Sequence, residues 1–153
     1  MVERSQVVIT SSDDWPRETW QDPGRGELSW VTLFSGDRTP TDSMTAGIAE
    51  LPPGGGGRIP HRHEQPELYY IIEGTGLLTI DGRESVVAAG SAIFIPGNAA
   101  HCLRNNSSTT LRLLYVFPTD SFAEVIYRFD EPDASAADRP SAQGSAAAGV
   151  VQI

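Results

Sequence analysis

The sequence predicts an all-β fold, a sandwich or barrel of short strands. Three observations carry this. From about Leu28 to Asp130, short apolar runs rich in β-branched and aromatic residues alternate with Gly, Pro, Asn and Asp punctuation. Only one segment, "TDSFAEVI", has helical character. The 153 residues suffice for one core and are too few for two ordinary domains.

The elements follow in chain order. Residues 1–27 are polar, and "DDWPRETWQDPGRG" places Trp15 and Trp20 among turn formers, which suits an arm that packs by its tryptophans. A barrel spans residues 28–130, with strands from "LSWVTLF", "SMTAGIAEL", "LYYII", "GLLTI", "ESVVAA", "AIFIP" and "LRLLYVF". The stretch "PPGGGG" lacks the Lys-Ser/Thr ending and following helix of a phosphate cradle, so it reads as a flexible inter-strand loop. Asp81-Gly82, between "LLTI" and "SVVAA", is a hairpin signal. "TDSFAEVI" predicts a helical turn or two capped by Thr119 or Asp120, and "EVIYRFD" predicts a last strand carrying Tyr127. Residues 131–153 are rich in Ala, Ser, Pro, Gly and Asp with no large side chains to bury, which predicts a mobile tail.

Charge narrows the function classes. The formal net charge is −9 and no basic patch is present, which argues against nucleic-acid binding. All 11 basic residues are Arg, so Schiff-base chemistry and a lysine base are excluded. A single cysteine, Cys102, rules out an intramolecular disulfide and fits a reducing compartment. The N-terminus has no apolar segment of signal-peptide length and no run approaches a membrane span, so no membrane contact and a cytoplasmic location are expected.

Chemistry concentrates in "PHRHEQPELYY", residues 60–70. Strand parity puts His61 and His63 on one face, and it puts Tyr69 on whichever face Glu67 occupies. His101 heads a later strand returning to the same end of the barrel. Three neutral imidazoles and a carboxylate suit a divalent first-row metal such as Fe, Mn, Ni, Co or Zn. Glu64 falls in the turn and reads as a surface acid, while Cys102 points away from His101 and reads as a packing residue.

In these residues the chain resembles the cupins. Gly55, five residues, His61-x-His63, three residues, Glu67, six residues and Gly74 match the first cupin motif at each defined position. Gly90, five residues, Pro96, Asn98, His101 and Asn105 match the second, with Asn98 where the family usually has Gly. Asn tolerates the left-handed backbone better than other non-Gly residues, so the departure is compatible with the motif. The resemblance implies a small jelly-roll-like barrel with one divalent metal ion per chain near an open end. Fe2+ is the preferred ion, with Mn2+, Ni2+, Co2+ and Zn2+ open. It also implies a homodimer, for which the arm offers a strand. Metal cupins include dioxygenases, isomerases and lyases that use the ion as a Lewis acid, and binding modules without turnover. The order His-x-His-x3-Glu-x-Tyr, a late His and a second late tyrosine are similar to the cupin-type dimethylsulfoniopropionate lyases. That similarity implies a small-molecule substrate, Tyr69 as the base removing an α-proton, and Tyr127 assisting in substrate placement. The substrate's sulfonium would rest against aromatic faces such as Tyr70, Tyr115 or an arm tryptophan.

Overall fold

The structure, a computed structural model, describes residues 5–130; the expected tail lies outside the described residues. Twelve strands occur among those residues: β1 (Glu18–Asp22), β2 (Gly26–Phe34), β3 (Thr45–Leu51), β4 (Gly56–Gly57), β5 (His61–Arg62), β6 (Glu67–Glu73), β7 (Thr75–Ile80), β8 (Arg83–Ala88), β9 (Ala92–Ile95), β10 (His101–Arg104), β11 (Leu111–Phe117) and β12 (Arg128–Phe129). They hydrogen-bond in the order β12-β5-β10-β4-β2-β3-β11-β6-β9, with β1 on β2 and with β7 joining β10 to β8. This curled antiparallel sheet is the barrel expected from the sequence.

Period-2 patterning decides what faces in. In β6, Glu67, Tyr69 and Ile71 are buried while Leu68, Tyr70 and Ile72 are exposed. In β11, Leu111, Leu113, Tyr115 and Phe117 point inward. These side chains join Trp30, Leu51 and Leu103 in one core. At about 25 cal/mol per Å² of apolar surface removed from water, burial of this core is the main force holding the curled sheet.

Local chemistry accounts for the turns. Asp81 and Gly82 have φ of 47° and 79°, the positive pair that a tight β7–β8 hairpin requires. The glycine run differs from its sequence reading, because Gly56–Gly57 form β4, a buried bridge between β10 and β2. A Cβ on Gly56 would lie 2.3 Å from the Leu103 carbonyl oxygen, so only glycine lets these backbones close. A run without side chains gives no periodic signal, and this is why it read as a loop.

Both ends of the described chain are tied to the barrel. β1 adds to β2 with Trp20 opposite Leu28, and the Trp20 ring stacks on Phe129 at 6.4 Å. The expected helical segment is a single 3-10 turn, Phe122–Glu124, entered from Ser121 rather than from Thr119 or Asp120 and without a side-chain cap, and a second 3-10 turn that the sequence reading did not expect, Ser12–Asp14, is capped by Ser11. Phe122, Val125 and Tyr127 are all buried, and a segment this short cannot meet the cost of nucleating an α-helix. Tyr127 precedes the last strand instead of lying on it, since β12 pairs with β5 only at Arg128 and Phe129. Among the described residues no helix is long and apolar enough to cross a membrane.

Candidate metal centre

Three strands bring the candidate ligands together. His61 on β5 sits directly opposite His101 on β10, with ring centroids 4.2 Å apart. His63 follows β5, and its carbonyl accepts from the Asn98 amide at 2.8 Å. Asn98 has φ 64°, the left-handed conformation expected where the family carries glycine. Glu67 opens β6 with its side chain inward. All four residues are at most 2% exposed, and one ligand atom from each lies within 4.8 Å of the others.

Hydrogen bonding sets the imidazole tautomers. The Nδ1 atoms of His63 and His101 lie 2.8 Å from the carbonyl oxygens of Gln65 and Ala99, and a carbonyl can only accept. Each Nδ1 therefore carries a proton, and in the neutral ring each Nε2 presents a lone pair. Both lone pairs face the same Glu67 Oε2, at 3.1 and 3.3 Å. Electron-rich atoms at that separation repel unless a cation or a proton lies among them. His61 has no hydrogen-bond partner at either ring nitrogen among the described residues, and Glu67 Oε1 has none either. Burial first, then the neighbouring His101 and His63, holds the His61 pKa well below its usual value, so this imidazole is neutral and free to ligate. Lone pairs, a carboxylate and carbonyl-fixed tautomers fit a divalent ion.

The tyrosines divide by strand face. Tyr69 and Tyr127 are buried against the cluster, with Tyr127 4.9 Å from His61 and 5.4 Å from His63, and Tyr69 6.4 Å from His101, between ring centroids. Neither hydroxyl makes a hydrogen bond of ordinary geometry among the described residues. Burial and then the Glu67 charge push both phenols well above their usual pKa. Tyr115 also faces inward, whereas Tyr70 is 45% exposed on the outer face and cannot line the interior. Trp20 is committed to Phe129. Glu64 is exposed and Cys102 buried, as their positions in the sequence predict.

Residues 122–127 cross the cluster as a strap. The Phe122 amide donates to Ser35 Oγ at 3.0 Å, the Gln65 side-chain amide donates to the Glu124 carbonyl at 3.2 Å, and Arg62 donates to both Asp130 oxygens at 2.9 Å. Gln65 therefore touches both His63 and the strap. Sequence reasoning missed it because backbone carbonyls leave no mark in residue type. Tyr115 carried a usable signal, since parity with Leu111, Leu113 and Phe117 places it inside.

A cupin-domain family profile matches residues 47–117, the stretch that holds all four candidate ligands. Over 118 residues the chain is 41% identical to the dimethylsulfoniopropionate lyase DddW of Ruegeria pomeroyi, covering 77% of this chain and 76% of that protein. It is 30% identical over 118 residues to an oxalate-binding protein of Thermotoga maritima, covering 76% and 97% of the two chains. Among solved structures it superimposes on the polyketide cyclase RemF of Streptomyces resistomycificus with a TM-score of 0.71 at 27% identity, over 83% of this chain and 87% of that one.

Proposed function

The chain belongs to the cupin family, and from that premise we propose that it is a metal-dependent carbon–sulfur lyase cleaving dimethylsulfoniopropionate to dimethyl sulfide and acrylate. The observation that carries this reading is the 41% identity to a lyase of that substrate across three quarters of both chains. His61, His63, Glu67 and His101 are the residues that would hold the ion. When bound, a divalent ion, Fe2+ by preference, supplies a Lewis acid toward the substrate carboxylate and a positive charge in an otherwise anionic pocket.

The remaining chemistry belongs to the protein. Tyr69 is the base, and its phenolate oxygen takes the α-proton. The C–H electron pair becomes the second bond between the α- and β-carbons, and the β-carbon–sulfur pair leaves with sulfur. Dimethyl sulfide departs neutral, so no acid is needed at the leaving group. Burial and the Glu67 carboxylate disfavour the Tyr69 phenolate, and a cation held by the four ligands would oppose that effect. Tyr127, on the strap, faces His61 and His63 and positions the substrate. A homodimer fits the outer face of β6 and β9, where Leu68, Tyr70 and Phe94 are 41%, 45% and 70% exposed; light scattering checks it.

The 30% identity to nearly all of an oxalate-binding protein favours a second reading, carboxylate binding without turnover. Headspace analysis decides between them. Metal-loaded protein given dimethylsulfoniopropionate is expected to release dimethyl sulfide equally well with and without oxygen, because no atom in the elimination changes partners with O2. Absence of sulfide with Fe, Mn, Ni, Co and Zn alike would overturn the lyase reading. Release confined to aerobic samples would point to a dioxygenase.

A further inference from the structure

All four candidate ligands are at most 2% exposed, and the hollow beside Glu67 has a volume of about 10 Å³, room for about one water molecule. Any larger molecule reaches them only when part of their cover moves. Among the irregular segments beside the cluster, two are tied to the ligands themselves. The turn 64–66 joins His63 to Glu67, and its Gln65 carbonyl accepts the His63 Nδ1 proton. Loop 96–100 donates the Asn98 amide to the His63 carbonyl, accepts from His101 Nδ1 at the Ala99 carbonyl, and is fixed by two bonds between Ala100 and Asp81. Movement of either would pull a ligand out of place. The strap, residues 122–127, carries no candidate ligand.

The strap is built as a bridge between two anchored roots. At its start, the Gly36 amide donates to the Asp120 carbonyl at 2.6 Å, the Ser43 amide to Asp120 Oδ1 at 2.7 Å and the Thr45 hydroxyl to the Thr119 carbonyl at 3.0 Å. At its end, β12 pairs with β5, the Asp130 amide donates to the Pro60 carbonyl at 2.8 Å, and Arg62 holds the Asp130 carboxylate. Across residues 123–127, a single hydrogen bond among the described residues reaches the barrel, from Gln65 Nε2 to the Glu124 carbonyl at 3.2 Å. Val125 and Tyr127 are buried, whereas Glu124 is exposed and Ile126 is 56% exposed. On that outer side Glu124 and Ile126, with Gln65, Asn98 and Arg128, line a cleft of about 330 Å³, a volume that suits a small organic ligand. On the inner side the Tyr127 ring stands 4.9 Å from His61 and 5.4 Å from His63.

We propose that residues 123–127 are the gate through which small molecules reach the candidate metal centre, and that the Gln65 side-chain amide is its latch. Gln65 is a positioning residue. Its carbonyl fixes His63, and its side chain fixes the segment that bears Tyr127. Opening breaks the Gln65–Glu124 bond between the two anchored roots and joins the outer cleft to the ligands; closing returns Tyr127 to them. The proposal rests on the cluster holding an ion and is independent of which substrate is turned over.

Zinc serves as the probe. A gate is passed in both directions, so loosening it raises the rates of ion entry and ion release by the same factor and leaves Kd unchanged. Damage to the ligands raises release and weakens Kd. Gln65→Met keeps the length of the side chain and the carbonyl that holds His63, and removes the donor. Loss of one neutral hydrogen bond corresponds to an open population larger by about fivefold. Stopped-flow transfer of Zn2+ from loaded protein to excess chelator, and uptake of Zn2+ by the metal-free protein, should both run about fivefold faster in the variant at equal Kd. Hydrogen exchange should quicken in the peptide spanning residues 119–128 and hold in β10 and β11. Gln65→Ala repeats the test should the methionine variant not fold. Unchanged Zn2+ rates, unchanged exchange in 119–128, or faster release with a proportionately weaker Kd would each overturn the proposal, as would a wild type that takes up no Zn2+. If wild type releases no dimethyl sulfide and the Zn2+ rates respond to Gln65, the lyase reading fails and the gate stands. If sulfide forms and the rates ignore Gln65, the reverse holds.

Discussion

Glu67→Gln should make the metal-free protein more stable and abolish its stabilisation by metal. The Nδ1 atoms of His63 and His101 hold protons against backbone carbonyls, which leaves each Nε2 turned toward Glu67. The Glu67 carboxylate is 2% exposed, with Oε2 facing two nitrogen lone pairs at 3.1 and 3.3 Å and Oε1 unpartnered among the described residues. A glutamine with its amide nitrogen at the Oε2 position donates to both Nε2 atoms and removes a buried charge. Two neutral hydrogen bonds contribute about 2 kcal/mol, before any relief of the carboxylate's desolvation. For a chain of this length that is about 4–8 °C in melting temperature. In wild type, an ion present at about a thousand times its Kd adds about 4 kcal/mol, or roughly 8–16 °C. The amide, a weaker and uncharged ligand, should lose nearly all of that increment. Scanning calorimetry at pH 8, with chelator and with saturating divalent ion, measures all four states. A chelated variant melting at or below chelated wild type would refute the reasoning, because the carboxylate would then be satisfied without an ion.

Tyr69→Phe keeps the ring and all four candidate ligands, so metal content should hold while turnover falls about a hundredfold or more; normal turnover would move the base to Tyr127. His61→Ala and His101→Ala should instead lose metal, and full occupancy by elemental analysis would remove them from the ligand set. The lowered pKa of His61 means that the unfolded chain binds more protons below about pH 6.5. Its contribution to metal-free stability is present above that value and lost as pH falls toward the lowered folded pKa. The melting temperature of chelated protein should drop between about pH 7 and pH 5, and His61→Gln should flatten that drop. An identical slope in the variant would assign the titration elsewhere.

How much of this was legible in the sequence depends on the range of the interaction involved. The inward set Glu67, Tyr69 and Ile71 follows from alternation within one strand, and the Asp81-Gly82 hairpin follows from the φ preferences of two adjacent residues. Asn98 adopts positive φ for an equally local reason. The spacing of the two motifs named the four residues that the fold brings within 4.8 Å, although His61 and His101 meet only because β5 and β10 pair. Tertiary structure decided the rest. Gly56 became a bridge because Leu103 and Arg104 approach it, Tyr115 took its position because Gly47 on a different strand leaves space, and residues 122–127 became a strap because Phe122 and Val125 gain more from burial than from continuing a helix. Facing, turns and spacing are encoded residue by residue along the chain. Which hydroxyl lies beside which carboxylate, and which backbone closes on which, depends on contacts between segments tens of residues apart, whose energies exist only once the barrel has closed.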